Sequence, residues 1–166
     1  MKTKTQRLVI SALLCALTCV VTMMVKVPSP FKGYLNLGDG IVLFSSFMLE
    51  PGYAFLAAGI GSALADLFSG YALYAPATFV IKGVMALIAF YDYKIMNKKM
   101  GDFPSRLLSC ACAELVMVGG YLLFEGILYG FAPSLVNVLP NAVQGAVGMI
   151  LAIILMKIFS KSKIRL

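Results

Sequence analysis

The chain has 166 residues, of which 61% are hydrophobic and 13% charged, and its formal net charge is +7. Soluble domains are less apolar and about one quarter charged, so this composition excludes an ordinary soluble protein and predicts an integral membrane protein, with a single domain over residues 1–166. The basic residues lie between apolar stretches and form no stripe with interleaved aromatic residues, which argues against nucleic acid as a partner.

Six apolar stretches follow one another along the chain as predicted membrane-spanning helices. A helix needs about 20 residues to cross the hydrocarbon core, and the predicted spans are residues 5–27, 39–49, 52–69, 76–96, 104–130 and 138–159. The second span is short enough to be re-entrant, but the topology below requires it to cross. Residues 28–38 contain two prolines and two glycines, which predicts a structured outer loop and no helix.

Small residues recur along the first span, among them Ala12 and Ala16. This four-residue spacing lets another helix approach closely in a bilayer, where lipid provides no hydrophobic drive for association. The two alanines can therefore pack inside the protein or dock a partner subunit, and the sequence leaves both interpretations open.

Basic residues set the orientation of the spans. If the first span starts in the cytoplasm, every Lys and Arg falls on the cytoplasmic side except Lys26 and Lys32, which lie outside, and Lys82, which lies within a span. Such an excess of positive charge is typical of cytoplasmic loops. We therefore predict cytoplasmic termini and a multi-pass protein of a bacterial-type cell membrane.

Two ionisable residues flank the turn between the third and fourth spans. Asp66 precedes this turn and Lys82 follows it, with Tyr71 and Tyr74 between them. An ionisable group at membrane depth costs roughly 2.5–3.5 kcal/mol unless it is paired or faces a polar cavity. The pair predicts either a polar pocket with aromatic walls or a structural ion pair that joins two helices.

Polar residues from the later spans reach the same depth. From the helical rise, Asp66, Lys82, Glu125 and Gln144 lie roughly 6–10 Å below the outer surface, and Asn141 and Asp39 lie nearer to it. These groups could hydrogen-bond a flat heteroaromatic ligand whose rings are covered by tyrosines. The alternatives are interhelical hydrogen bonds for Asn141 and Gln144, a structural role for Glu125 and Glu114, and a helix cap for Asp39.

Enzymatic chemistry has little support in the sequence. There is no histidine and no GxxxxGK[ST] phosphate loop, and the four cysteines form no CxxC pair. The chain is therefore not predicted to hydrolyse ATP or to be an enzyme, and neither a cofactor nor a metal is expected.

Several short motifs occur in a familiar order: YLNLGD at 34–39, ALADL at 63–67, YAPAT at 74–78, IKG at 81–83 and PNxxQ at 140–144. With them, the chain resembles the substrate-binding (S) component of an energy-coupling-factor (ECF) vitamin transporter. It is similar to the riboflavin-type group, which also holds hydroxymethylpyrimidine and pyridoxine carriers. The resemblance covers nearly the whole chain.

The resemblance implies a six-helix protein that captures a water-soluble vitamin from outside, with its site in the first loop and in helices four to six. It also implies that Ala12 and Ala16 contact a transmembrane coupling (T) subunit driven by two ATPases, and that toppling of the S component in the membrane carries the ligand inward.

From these observations together we assign roles to the predicted site residues. We expect Tyr34 and Asn36 to close the loop over the ligand, Tyr74 and Tyr121 to stack on it, and four residues to hydrogen-bond it: Lys82, Glu125, Asn141 and Gln144. Asp66 is expected to form an ion pair in the site or beside it. The expected ligand is a hydroxymethylpyrimidine or a pyridoxine-like ring, and the alternative is a proton-coupled secondary transporter that uses Asp66 and Glu125 as relays.

Overall fold

The computed structural model describes residues 3–29 and 32–161. The helices and strands in these residues are α1 (Lys4–Met24), β1 (Lys26–Pro28), β2 (Tyr34–Asn36), α2 (Gly38–Met48), α3 (Pro51–Phe68), α4 (Ala75–Met100), α5 (Asp102–Tyr129), α6 (Phe131–Ser134), which a 3₁₀ turn (Leu135–Asn137) continues, and α7 (Val138–Lys161). All the helices except the one-turn α6 correspond to the six predicted spans, so the prediction of an all-α membrane protein is confirmed. Lys2, Lys163 and Arg165, which enter the charge argument, lie outside the described residues.

In the described part of the chain, five helices are long and apolar enough to cross a membrane: α1, α3, α4, α5 and α7. The sixth, α2, has only 11 residues, and nine of them are buried. It packs against α1, α3, α4 and α7. Since α2 is enclosed by protein, its length need not match the hydrocarbon thickness that a lipid-facing helix must cover.

Contacts at the helix ends confirm that α2 crosses. Arg7, near the start of α1, pairs with Glu50 at the junction of α2 and α3, at 2.6 Å. At the opposite end of α1, Lys26 donates a 2.8 Å hydrogen bond to Ser69, which follows α3. The start of α3 therefore lies level with the start of α1. The even number of crossings places both ends of the described chain on the same side, and positive charge assigns that side to the cytoplasm.

The inner ends of α4 and α5 extend further than the sequence predicted, to Met100 and from Asp102. A single residue, Gly101 with φ of 81°, joins the two helices. Lys98 and Lys99 lie in the last turn of α4, and Asp102 lies in the first turn of α5. These charges complement the two helix dipoles, and the positive φ of Gly101 lets the chain reverse direction at one residue.

The outer loop is a β-hairpin. Strands β1 and β2 pair antiparallel, with Val27 opposite Leu35. Its turn requires positive φ at Lys32 (37°) and Gly33 (98°), a region that glycine adopts without steric cost. The prediction of a structured, non-helical loop is confirmed for its described residues, and the strands are an addition to it.

Candidate functional site

A cavity lies in the outer layer, where the hairpin covers the ends of α3, α4, α5 and α7. Residues from all of these elements line it, including Tyr34, Asp66, Thr78, Glu125 and Asn141. The centre of a water molecule can move within only about 40 Å³ of this cavity. That volume suits a few waters, so a vitamin-sized ring can enter only if the lining side chains move.

An outer vestibule adjoins this inner cavity. By the same measure its volume is about 410 Å³. The two spaces share the lining residues Ser29, Lys32, Gly33, Tyr71 and Tyr74. The hairpin turn and two tyrosines of the α3–α4 connection therefore form the partition between outside and the inner cavity.

Lys82 lies beneath the cavity and is buried. Its ammonium pairs with the Asp39 carboxylate, and the other oxygen of Asp39 accepts a 2.6 Å hydrogen bond from Gln144 Nε2. Two expectations are corrected here. The partner of Lys82 is Asp39 and not Asp66, because the central helix α2 directs its first turn towards α4. Asp39 also does not cap α2, since Leu37 holds that position.

Gln144 connects this buried pair to the hairpin. Its Oε1 accepts hydrogen bonds from the Asn36 backbone N–H at 2.9 Å and from Asn36 Nδ2 at 3.4 Å. The chain of contacts thus runs from the hairpin through Gln144 and Asp39 to Lys82. The sequence predicted Asn36, Lys82 and Gln144 as ligand contacts, and the structure brings them together as one network that supports the floor of the cavity.

Asp66 is 5% exposed and lines the cavity. Its Oδ1 accepts a 2.6 Å hydrogen bond from the Tyr34 hydroxyl, whereas its Oδ2 has no hydrogen-bond partner among the described residues. Burial, together with the nearby Asp66 charge, raises the pKa of Tyr34. The Tyr34 hydroxyl therefore keeps its proton and remains a donor to Asp66.

Glu125 is also buried but is held by protein on both oxygens. Its Oε2 accepts from Asn137 Nδ2 at 2.9 Å, and its Oε1 accepts from the Tyr74 hydroxyl at 3.4 Å. Burial, and then the Glu125 charge, raises the pKa of Tyr74. Tyr74 thus stays protonated as a donor at the edge of the site.

Asn137 is a site residue that the sequence analysis missed. It donates to the Lys32 carbonyl at 3.2 Å and accepts from the Ser29 hydroxyl, so it ties the hairpin turn to Glu125. A signal was present: Asn137, Asn141 and Gln144 follow an i, i+4, i+7 pattern, which places them along one helical face.

Aromatic side chains form a connected wall around the cavity. The ring centroids of Tyr34 and Tyr71 lie 4.8 Å apart, those of Tyr71 and Tyr74 6.2 Å, and those of Tyr74 and Phe124 5.2 Å. Tyr121 lies on the α5 side, with its hydroxyl 3.0 Å from that of Thr78. Neighbouring rings are tilted or edge-to-face, and the stacking role of Tyr74 and Tyr121 stays a prediction.

Three further predicted residues have distinct surroundings. Asn141 is half-buried and lines the cavity. Ala12 and Ala16 are exposed on α1, so they do not pack inside this chain, and their predicted docking role stays a prediction.

Glu114 lies apart from the cavity lining, against Gly145 and Gly148 of α7. It is buried, and both of its carboxyl oxygens lack a hydrogen-bond partner among the described residues.

The described part of the chain contains no group of three His, Cys, Asp or Glu side chains that could hold a metal ion.

Known proteins share this architecture. Residues 2–161 match the family model of the ECF-type riboflavin transporter S component. A solved chain, from work on the structure and mechanism of the S component of a bacterial ECF transporter, has a TM-score of 0.80 at 24% identity, covering 98% of this chain and 100% of that one. This likeness shows the fold.

Two relatives match by sequence. An uncharacterized protein of Pyrococcus woesei is 34% identical over 133 residues, which are 80% of this chain and 86% of that protein. The thiamine precursor transporter HmpT of Lactococcus lactis subsp. cremoris is 29% identical over 162 residues, 96% of this chain and 90% of that protein.

Proposed function

We propose that this chain, which belongs to the family of ECF-type riboflavin transporter S components, captures the thiamine precursor hydroxymethylpyrimidine in its outer cavity. Membership of the family makes it a membrane transporter component for a vitamin-like solute and not an enzyme. The choice of ring is supported above all by the 29% identity to the thiamine precursor transporter HmpT over 96% of this chain.

The geometry of the outer layer supports a small polar ring. The tyrosine wall offers stacking surface, and the carboxylates Asp66 and Glu125 both line the cavity. A pocket that combines apolar walls with a few directed polar groups is typical of small-molecule sites. An aminopyrimidine with a hydroxymethyl arm is flat and rich in hydrogen-bond donors, which matches this lining.

Entry of the ligand would proceed through the outer vestibule. Ser29 and Lys32 of the hairpin turn are held by Asn137, and this turn forms part of the partition. We propose that the turn releases Asn137 to admit the ring and rebinds it afterwards. Tyr34 and Asn36 on β2 would then close over the ligand, as the sequence predicted.

Delivery to the cytoplasm would depend on partner subunits in the cell membrane, a T subunit and two ATPases. Beneath the cavity, Leu43, Met85 and Met117 are fully buried, and a closed apolar layer of this kind gives a polar ring no passage. In liposomes, the isolated chain should bind its ligand without accumulating it, with or without a proton gradient. Gradient-driven accumulation would instead favour the proton-coupled secondary transporter.

Binding to the purified chain tests the substrate directly. Calorimetry with hydroxymethylpyrimidine, pyridoxine, riboflavin and thiamine should give the tightest binding for hydroxymethylpyrimidine. Mass spectrometry of ligand that co-purifies with the chain from cells should identify the same ring. Tighter binding of riboflavin, or retention of a different vitamin, would contradict the proposal.

A further inference from the structure

Asp66 Oδ2 is a buried acceptor that no described residue bonds within hydrogen-bond distance, although the Thr78 hydroxyl is near enough to stabilise the carboxylate. The side chain lines the cavity, is 5% exposed, and has no hydrogen-bond partner for Oδ2 among the described residues. The other oxygen accepts from Tyr34 at 2.6 Å, and the ionised side chain can only accept. A buried carboxylate oxygen without a donor is costly, so a ligand that supplies the donor would regain that free energy.

The other polar groups of the cavity do not offer the same opportunity. Both oxygens of Glu125 accept hydrogen bonds from protein donors. Asn141 lines the cavity with an amide, and an amide has both a donor and an acceptor, so rotation lets it serve a ligand of either polarity. A carboxylate can only accept. Among the carboxylates of this lining, Asp66 is therefore the one with an oxygen that no described residue bonds, and that oxygen can only accept from a ligand.

We infer that Asp66 is the specificity-determining residue of the site and selects a ring whose exocyclic amino group donates an N–H to Oδ2. This inference rests on the proposed function, because it assigns a role within the same cavity. It replaces the ion-pair role that the sequence predicted for Asp66.

The chemistry of the ring explains the selectivity. The amino group of an aminopyrimidine is conjugated with the ring, so it lies in the ring plane, carries two N–H donors and has no lone pair available to repel a carboxylate. The analogue in which an oxo group replaces the amino group has almost the same size and shape. Its oxygen, however, would face Oδ2 with lone pairs. The proton of the oxo ring lies on a neighbouring ring nitrogen instead, so Oδ2 would remain unpaired unless the ring shifts from the pose of the amino ring.

The native chain tests this inference without any substitution. Calorimetric titrations should show that hydroxymethylpyrimidine binds at least about tenfold more tightly than its oxo analogue. Equal affinity for the two rings would overturn the role of Asp66 and leave the proposed function intact. Failure of both rings to bind would instead contradict the proposed function.

The variant Asp66→Asn adds a second test, because an asparagine amide can donate to an oxo group. The preference for the amino ring should fall about tenfold or more in this variant. The matched control is Asp102→Asn, since Asp102 also accepts from a tyrosine hydroxyl at 2.6 Å but lies exposed at the inner ends of α4 and α5. The control should leave the preference unchanged.

Two outcomes of the variant test would overturn the inference. If Asp66→Asn weakens both rings by the same factor, Asp66 has only a structural role. If it leaves both affinities unchanged, the ligand does not contact Oδ2. Thermal unfolding checks that the variant is folded, and if it is not, the ratio of affinities on the native chain decides the question.

Discussion

The cavity layer and the packed layer beneath it bury their side chains in different ways. In the cavity layer, hydrogen bonds join the hairpin directly to Asp66 and Gln144 and, through Asn137, to Glu125, and one oxygen of Asp66 has no partner among the described residues. In the packed layer, helices touch directly at glycines. A Cβ at Gly61 of α3 would lie 2.5 Å from the Cys15 carbonyl oxygen of α1.

This difference shows which layer can accept a ligand. Directed polar groups beside a small space can exchange protein or water contacts for ligand contacts at little cost. Close-packed helices lose dispersion contacts whenever they separate. The molecule therefore combines an outer layer whose polar contacts can be exchanged with a closely packed layer below it.

The strongest test of this division is at its boundary, where Lys82 pairs with Asp39. We expect Lys82→Met to lower the free energy of unfolding by about 3–5 kcal/mol, because it leaves a buried carboxylate without its cation. Thermal or chemical unfolding in detergent would measure the loss. The double variant Lys82→Met with Asp39→Asn removes both charges and should recover most of it. If Lys82→Met keeps native stability and loses only ligand affinity, Lys82 contacts the ligand, as the sequence predicted.

The rigidity of the packed layer is tested at Gly61. We expect Gly61→Ala to destabilise the protein by about 1–3 kcal/mol, since its Cβ would force α1 and α3 apart. Gly52 on the same helix is the control, because a Cβ there meets nothing within 4 Å, and Gly52→Ala should be neutral or slightly stabilising. If the two variants have equal stability, the contact between α1 and α3 is looser than the structure describes.

The sequence predicted the packed layer better than the cavity layer. Apolar length and positive charge determine where helices cross and in which direction, and both are local properties. For that reason the six spans and their order were predictable. The exceptions are helix ends, such as the extension of α4 to Met100, where a single glycine replaces the expected loop.

The sequence predicted many of the residues in the cavity layer but not which of their side chains bond one another. Asp66, Glu125 and Gln144 were identified by depth, because an ionisable or amide group in an apolar span needs a polar environment. Tyr34 was identified by the resemblance instead. Depth does not determine which side chains meet. The pairing of Lys82 with Asp39 depends on the central position of the short α2, and this is a property of the whole fold.

The attachment of the hairpin to the cavity is tested at Asn137. We expect Asn137→Ala to weaken ligand binding by about 1 kcal/mol, because the hairpin turn loses its hydrogen bonds to this side chain and Glu125 loses a donor. Stopped-flow measurements should show faster ligand dissociation, since the partition opens more readily. The control is Asn97→Ala on the exposed inner end of α4, which should change nothing. Slower dissociation from Asn137→Ala would mean that the turn does not gate the cavity.

The smallest expected effect on the isolated protein is that of a double substitution on α1, Ala12→Leu with Ala16→Leu. Both alanines are exposed, so larger side chains meet no residue of this chain, and stability and ligand affinity should each stay within about 0.5 kcal/mol of the native values. If this face docks the T subunit, the same variant should lose uptake in liposomes that contain the complete transporter, because leucines keep the two helices from approaching closely.

Ala142→Leu with Ala146→Leu on α7 is the matched control, since these alanines have the same spacing and are also exposed, and it should retain uptake. Equal loss of uptake in both double variants would indicate a general effect of bulk on the lipid-facing surface, and normal uptake by the α1 variant would place the docking face elsewhere. A fall in ligand affinity would show instead that α1 contributes to the cavity layer, and the cavity layer would then include residues of α1.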